Sequence, residues 1–346
     1  MDQPAPLANR RTRPLAGARP RRGPAARALV GVAILFVFCA GVLAGGQPAL
    51  VAQAGQPASA RPGHADQRPR FAEAPVSAPQ AHRMPSSAPR IKAPTAMVVN
   101  LATGRVLYEK HPDQRRPIAS IAKIMTALVV LRHSSLDGMV RVTKRATRTD
   151  PINLGLKAGE RISVRDLLYG LLLRSGNDTA MALAQHVSRT VPKFLALMDR
   201  TAHSLGATDT HFASPNGLND HGYSTVTDVA RIAMAAMDDP TFRRIVATRT
   251  YHVPGPKHQV HHLKNLNEML FTYPHATGIK TGYTEAAGNC VVESASRGSL
   301  ELVVVVLHDD PRTDWRDAYR DASRLLNYGF RRAADVGSIG AAPTRT

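Results

Sequence analysis

Pro117-Ile118-Ala119-Ser120-Ile121-Ala122-Lys123-Ile124-Met125-Thr126-Ala127-Leu128-Val129-Val130-Leu131 is the stretch on which the fold turns. From Ile121 to Leu131 it is apolar on nearly every side, so a helix here has no polar face to offer solvent and is expected inside the protein. Ser120 stands at the start of that helix and Lys123 one turn further on. This spacing puts the hydroxyl and the amine on one face, within reach of each other. An ordinary lysine is protonated at neutral pH and useless as a base. One sunk at the mouth of an apolar helix, near a second cation, has a lowered pKa and can accept the serine proton. Alone the pair is weak evidence, because a serine after Pro117 is also a common helix N-cap.

Upstream, Ala96 to Asn100 and Arg105 to Glu109 flank the turn Ala102-Thr103-Gly104 and read as a β-hairpin. Downstream the pattern becomes helical. Ser163 with Asp166 three residues later resembles a capping box opening a Leu-rich helix that ends by Arg174. Further helices are expected over Thr179 to Val187, Pro192 to Leu205, where Gly206 is a natural stop, and Asp228 to Met237. Asn289 to Ala295 and Leu300 to His308 form a second hairpin around Arg297-Gly298, and Trp315 to Phe330 a last helix. Strands at both ends of a helical middle predict an α+β fold: one antiparallel sheet assembled from distant segments and flanked by helices, plus an all-helical lobe.

Two more motifs follow Ser120-Ile121-Ala122-Lys123 in order: Ser175-Gly176-Asn177 and Lys280-Thr281-Gly282. Each is weak singly, but each falls where the chemistry of an acyl-transfer site would want it: a helix start, a loop between two helices, and a strand. With the flanking text Pro117-Ile118-Ala119-Ser120, Arg174-Ser175-Gly176-Asn177-Asp178, Ser214-Pro215-Asn216-Gly217-Leu218 and Gly278-Ile279-Lys280-Thr281-Gly282-Tyr283-Thr284, the chain from Ala93 to Phe330 resembles the D-Ala-D-Ala carboxypeptidases. These are the low-molecular-mass penicillin-binding proteins. The resemblance implies a β-lactamase/transpeptidase-like fold and a serine peptidase that removes the terminal D-alanine from peptidoglycan stem peptides. It also implies covalent capture by β-lactams and no cofactor or metal.

Within that frame Ser120 is the expected nucleophile, Lys123 its base and Lys280 the second cation. Ser175 is expected to relay a proton between either lysine and the leaving amine. Asn177 is expected to hold the substrate amide through its donor and acceptor atoms. Thr281 would donate to the terminal carboxylate, Lys280 attract it, and Gly282 let the substrate backbone lie against the strand. By match to the family, the backbone N–H groups of Ser120 and Tyr283 would hold the oxyanion.

The formal charge of +19 is unevenly placed: 13 of the 45 Lys and Arg but only 3 of the 26 Asp and Glu fall in residues 1–92, so about half the excess sits ahead of the catalytic unit. Arg10, Arg11, Arg13, Arg19, Arg21, Arg22 and Arg27 precede an apolar run from Ala28 to about Gly46, the pattern of an export signal. Residues 1–54 are read either as a signal peptide cut near Ala52-Gln53-Ala54 or as a retained N-terminal membrane anchor. Phe36-Val37-Phe38 ahead of Cys39 lacks the small residue expected before a lipidated cysteine. Residues 55–92 are expected to be a disordered, Pro- and Ala-rich linker, 93–331 the catalytic domain, and 332–346 a flexible tail. So short a segment after Phe330 leaves no room for a second β-rich domain or a C-terminal amphipathic anchor, both common in the family, so any membrane attachment is expected through the N-terminal segment.

Other function classes fit poorly. Basic residues beyond Lys92 are interspersed with acids and only 5% of residues are aromatic, so no nucleic-acid surface is indicated. The surface suits an anionic cell wall or membrane face instead. His252, His258, His261 and His262 cluster in a Pro- and Gly-interrupted stretch without a metal-ligand register, which reads as an exposed loop or edge hairpin. Asp309, Asp310, Asp314 and Asp317 lack the alternation of a calcium loop and read as the entry to the last helix. Cys39 and Cys290 are not expected to pair. A β-lactamase would share the nucleophile, but between Asp178 and Ile279 the sole glutamate is Glu268, with Thr272 where an asparagine partner would fall. A non-catalytic cell-wall-binding protein would not need all three motifs.

Overall fold

The computed structural model describes residues 88–149, 151–254, 260–310 and 314–340. The expected leader with Cys39, most of the linker, His258 and the last six residues lie outside them. Ile91 packs into a hydrophobic cluster under the C-terminal helix, and the N–H groups of Lys92 and Ala93 donate to Asp321 at 2.7 and 2.9 Å.

The first described elements are β1 (Thr95–Asn100) and β2 (Val106–Lys110), paired antiparallel as the hairpin pattern predicts. A 3-10 turn over Ala119–Ala122 leads into α1 (Lys123–His133). The expected helix from Ile121 is therefore split, with the serine in the tight turn and the lysine opening the α-helix. A small hairpin of β3 (Met139–Arg141) and β4 (Arg161–Ser163) precedes α2 (Val164–Leu173). Ser163 caps α2 as read from sequence: its hydroxyl accepts from the Asp166 N–H at 3.0 Å and donates to the Asp166 carboxylate at 2.6 Å.

Helices α3 (Asn177–Ser188), α4 (Val191–Ser204) and α5 (Val226–Met237) complete the expected set, and α6 (Pro240–Ala247) adds one the pattern reading passed over. Its start is written locally, with Asp239 accepting from the N–H groups of Thr241 and Phe242 and Pro240 at the first helical position. The histidine stretch is a hairpin, β5 (Thr250–Pro254) on β6 (Val260–Lys264), with His252 opposite His262. A short α7 (Met269–Thr272) precedes β7 (Ala276–Thr284), β8 (Gly288–Arg297) and β9 (Leu300–Asp309), and α8 (Arg316–Gly340) follows. No group of His, Cys, Asp and Glu that could hold a metal ion occurs among the described residues, Cys290 is free and buried, and no described helix is long and apolar enough to cross a membrane.

The five long strands form one antiparallel sheet in the order β2-β1-β9-β8-β7. First and last parts of the chain thus meet in the middle, as expected for a sheet made of distant segments. The run Leu302-Val303-Val304-Val305-Val306-Leu307 lacks polar alternation because both faces of β9 are covered. Val303, Val305 and Leu307 point into the cluster shared with the helical lobe, and Leu302, Val304 and Val306 into the one beneath α8. On the lobe side, α1 is enclosed from Lys123 to Val130, which accounts for its all-round apolar sequence.

One carboxylate ties the lobe to the cleft. Asp178, 1% exposed, accepts four backbone N–H bonds: from Leu154 and Thr179 on one oxygen and from Gly155 and Leu156 on the other, at 2.8–3.1 Å. It fastens the segment before α2 to the start of α3. Removing it strands several buried donors, so Asp178→Ala is expected to cost about 3–5 kcal/mol and to lower the Tm by about 10 °C, with Asp178→Asn costing less than half as much. Thermal unfolding followed by circular dichroism checks this; a loss below about 1 kcal/mol for the alanine variant contradicts it.

Candidate active site

The three sequence motifs converge on one cleft. The 3-10 turn supplies Ser120, the α2–α3 connection Ser175 with Asn177 as first residue of α3, and β7 supplies Lys280, Thr281, Gly282 and Tyr283. Ser120, Ser175, Asn177, Thr281, Gly282 and Tyr283 line a cavity of about 560 Å³. Lys123 and Lys280 lie beneath it, at 0% and 2% exposure.

Lys123 Nζ makes three contacts: Ser120 Oγ at 2.7 Å, Asn177 Oδ1 at 2.9 Å and the backbone oxygen of Asn216 at 2.7 Å. The two carbonyl oxygens can only accept. A neutral amine has two N–H groups and one lone pair, so both hydrogens are claimed and the lone pair is left facing the serine hydroxyl. Charge state agrees with this count. Burial holds the Lys123 amine well below the ordinary lysine range, and the positive charge of Lys280 pushes the same way.

Asn216 meets Lys123 at the site, and sequence reading did not single it out. It acts through its backbone oxygen, so no side-chain chemistry announced it, although the text Ser214-Pro215-Asn216-Gly217-Leu218 stood out as part of the resemblance. Thr126 in α1 donates to the Pro215 oxygen at 2.6 Å and the Ser214 hydroxyl accepts from the N–H groups of Gly217 and Asn219, which sets the turn. Gly217, at φ +79°, passes so close to the nucleophile that an added Cβ would lie 1.8 Å from the Ala119 oxygen. Asn177 likewise differs in emphasis from expectation: its oxygen, assigned from sequence to the substrate, is engaged by Lys123.

Ser175 adopts φ +59° and Ala119, just ahead of the nucleophile, φ +46°. Both are left-handed conformations that a side chain strains. The Ser175 hydroxyl is buried, has no hydrogen-bond partner among the described residues and borders the cleft. Strand β7 is the edge of the sheet and lies directly on the 3-10 turn; a Cβ on Gly282 would fall 2.9 Å from the Ser120 nitrogen. The backbone N–H of Ser120, in the first turn of its helix, has no intrahelical acceptor and faces the same strand.

Lys280 donates to the Thr281 backbone oxygen at 2.7 Å. Burial pulls its pKa down to about 7, opposed by the nearby Glu293 carboxyl. Glu293 is the second residue that sequence reading missed. It is fully buried on β8, accepts from the Asn267 amide at 2.7 Å, and has no cation within ion-pair distance among the described residues, so burial drives its carboxyl well above the usual range. Its signal was readable in Val291-Val292-Glu293, a lone acid in an apolar strand.

Ile152, Leu218, Tyr283 and Trp315 are four of the six exposed large hydrophobic side chains among the described residues, and all four border the cleft. Their clustering gives the cleft an apolar rim. Glu268 lies outside the cleft, in the wall of a neighbouring cavity, where it cannot position a deacylating water.

Residues 82–311 match the D-alanyl-D-alanine carboxypeptidase family. The chain belongs to that family. Among its relatives, a D-alanyl-D-alanine carboxypeptidase of Streptomyces sp. is 36% identical over 260 residues, covering 70% of this chain and 88% of the relative. The carboxypeptidase DacB2 of Mycobacterium tuberculosis is 35% identical over 252 residues, covering 71% and 86%. Solved structures agree: a Streptomyces DD-transpeptidase superposes with a TM-score of 0.67 at 35% identity over 71% of this chain and 99% of its own, and a D-alanyl-D-alanine carboxypeptidase from M. tuberculosis with 0.67 at 34% over 72% and 96%. The expected antiparallel sheet with a helical lobe is thus the fold of DD-peptidases.

The state of Glu293 is open to a direct test. An amide matches a protonated carboxyl in shape and keeps an oxygen to accept from Asn267, so Glu293→Gln is expected to change stability by less than about 1 kcal/mol, whereas Glu293→Leu leaves the Asn267 amide unpaired and costs about 1–3 kcal/mol. Were Glu293 an ionised partner of Lys280, the glutamine variant would instead lose about 3–5 kcal/mol in denaturant unfolding.

Proposed function

We propose that this chain is a serine D-Ala-D-Ala carboxypeptidase that works outside the cytoplasm, removing the terminal D-alanine from peptidoglycan stem peptides through an acyl-enzyme on Ser120. The carrying observation is the three-point seating of Lys123, whose amine, held well below the ordinary lysine range by burial, lies 2.7 Å from Ser120 Oγ. Ser120 Oγ attacks the penultimate D-Ala carbonyl and Lys123 takes its proton. The developing oxyanion sits between the N–H groups of Ser120 and Tyr283. Ser175, with a hydroxyl uncommitted to any partner among the described residues, passes a proton to the leaving amine. Thr281 and Lys280 hold the terminal carboxylate, Gly282 admits the peptide backbone beside the edge strand, and Asn177 joins the cleft wall to the base.

Water then hydrolyses the ester. A β-lactam presents the same amide and carboxylate, but its leaving nitrogen stays tethered to the acyl group, so the ester persists. Support for location comes from the basic, then apolar leader, which is read as routing the chain outward either as a cleaved signal or as an anchor at residues 1–54. Residues 55–92 would serve as a tether, 93–331 as the catalytic domain and 332–346 as a tail.

The purified protein is expected to release D-alanine from diacetyl-Lys-D-Ala-D-Ala and to form a lasting penicillin adduct in intact-mass measurements. Ser120→Ala should abolish both, and Lys123→Ala should slow acylation by about 10²–10⁴-fold. An adduct that turns over rapidly would identify a β-lactamase instead.

The pH profile follows from the two lysines. Lys280 carries its charge below about 7 and loses it above, so attraction for an anionic substrate weakens as pH rises through that value. Protonation of Lys123 removes the base at the acid end. Acylation by penicillin is therefore expected to be bell-shaped, with its descending limb near pH 7; a rate constant flat from pH 6 to 9 would contradict the assignment of Lys280 as the anion-holding cation.

A further inference from the structure

A second cavity, of about 360 Å³, opens beside the cleft. The two share Leu266 as a wall, and Arg174, neighbour to Ser175 in the chain, stands on the far side of it. Leu266 is fixed from both directions: its N–H donates to the Leu173 oxygen at 2.9 Å and its own oxygen accepts from Tyr319 at 3.3 Å. Tyr319 in turn borders the cleft beside Thr281. Asn267, next in the chain, reaches Glu293 under Lys280.

These contacts place the second cavity at a defined end of the substrate. With the scissile carbonyl at the Tyr283 N–H and the terminal carboxylate two residues back along β7, about 7 Å away at strand rise, the leaving group points toward Thr281 and on toward Leu266. The cavity beyond Leu266 therefore continues the leaving-group side.

Its charge is unbalanced. The Lys264 ammonium and the Arg249 guanidinium stand 5.0 and 5.7 Å from the centre of the same exposed ring, Phe271, which lines the cavity. The lining itself holds Lys264 and Arg174 against a single carboxylate, Glu268, and Arg249 adds a third cation from beside Phe271. None of the three cations has an ion-pair partner among the described residues. Two like charges gathered around one aromatic ring repel each other, and an anion bound close to them relieves that repulsion.

We propose that this cavity is a subsite for a second carboxylate on the amine component, so that the enzyme favours leaving groups and acceptors whose side chain carries an anion beyond the terminal carboxylate. The inference rests on the acyl-transfer reading above. In hydrolysis the amide C–N bond breaks as the Ser120 ester forms, and the nitrogen leaves with the proton taken from Ser120. In the reverse sense an acceptor amine attacks the ester, a new amide C–N bond forms, and Ser120 regains its proton. Water and an anionic D-amino acid then compete for the same acyl-enzyme.

The test compares diacetyl-Lys-D-Ala-D-2-aminoadipate with its side-chain amide, which differ only in the second carboxylate. The full-length protein is expected to show a kcat/KM about five-fold higher for the acid, an advantage that shrinks at 1 M salt. Lys264→Gln and Arg249→Gln, both on the surface and each checked for folding by penicillin labelling, should bring that ratio toward one. Taking the ratio within each protein cancels any general change in rate. A ratio of one in the unaltered protein, or a preference that survives both substitutions and high salt, overturns the subsite. Failure to release D-alanine from diacetyl-Lys-D-Ala-D-Ala brings down the acyl-transfer reading, and the subsite with it.

Discussion

Everything at this site depends on taking one lysine out of water. An isolated ammonium buried as completely as Lys123 would carry a prohibitive desolvation cost, so the amine gives up its proton. Once neutral it has only two hydrogens, and the oxygens of Asn177 and Asn216 take both. The base is thus made by burial and aimed by hydrogen-bond counting. Neither step asks anything unusual of Lys123 itself, which explains why the surrounding scaffold is so heavily committed: α1 is enclosed along most of its length to create the burial, while the start of α3 and the 214–218 turn exist to present two acceptors.

The second requirement is that two bodies of structure meet without a gap. Ser120 belongs to the helical lobe and Lys280-Thr281-Gly282 to the sheet, so the cleft they share forms only where β7 rests on the 3-10 turn. Glycine at 282 allows that approach from the sheet side and glycine at 217 allows the turn carrying Asn216 to close from the lobe side. Since β7 is an edge strand, its outer row of backbone groups is available to a peptide laid alongside it. The sheet brings rigidity: β8 and β9, buried on both faces, back β7 over its whole length.

Much of this was legible in sequence because it rests on local, repeated signals. The nearly all-round apolar character of 121–131 told of a buried helix, Ser163 with Asp166 announced the start of α2, and Leu300 to His308 announced one arm of a hairpin, though not that both of its faces are covered. The reactive side chains were legible as residue types at fixed spacing. Illegible were features in which a residue works through its backbone or its surroundings. Asn216 contributes a carbonyl that any residue possesses, and Asp178 holds four N–H groups that become neighbours only after folding. Helix α6 and Glu293 were different, since Asp239-Pro240 and the acid in an apolar strand could each have been noticed. The split of the expected helix at Lys123 follows from Ala119, whose left-handed backbone tightens the first turn, a tertiary effect that apolar periodicity cannot report.

That turn also shows why the site tolerates strain. Ala119 and Ser175 each occupy a left-handed conformation that costs roughly 1–3 kcal/mol for a residue with a side chain. Glycine would relieve it at either position, yet at 175 glycine would delete the hydroxyl, and at 119 it would loosen the peptide that carries the nucleophile. The strain persists because neighbours fix it: the Ala119 oxygen is hemmed in by Gly217, and the loop bearing Ser175 is closed by bonds from the Gly176 N–H to the Gly170 oxygen and from the Asn177 N–H to the Ile152 oxygen. A relaxed turn in either place would move a hydroxyl by about an ångström, and acyl transfer is sensitive to displacements of that size. Stability given up in two residues is thereby converted into fixed directions for the two hydroxyls that border the cleft.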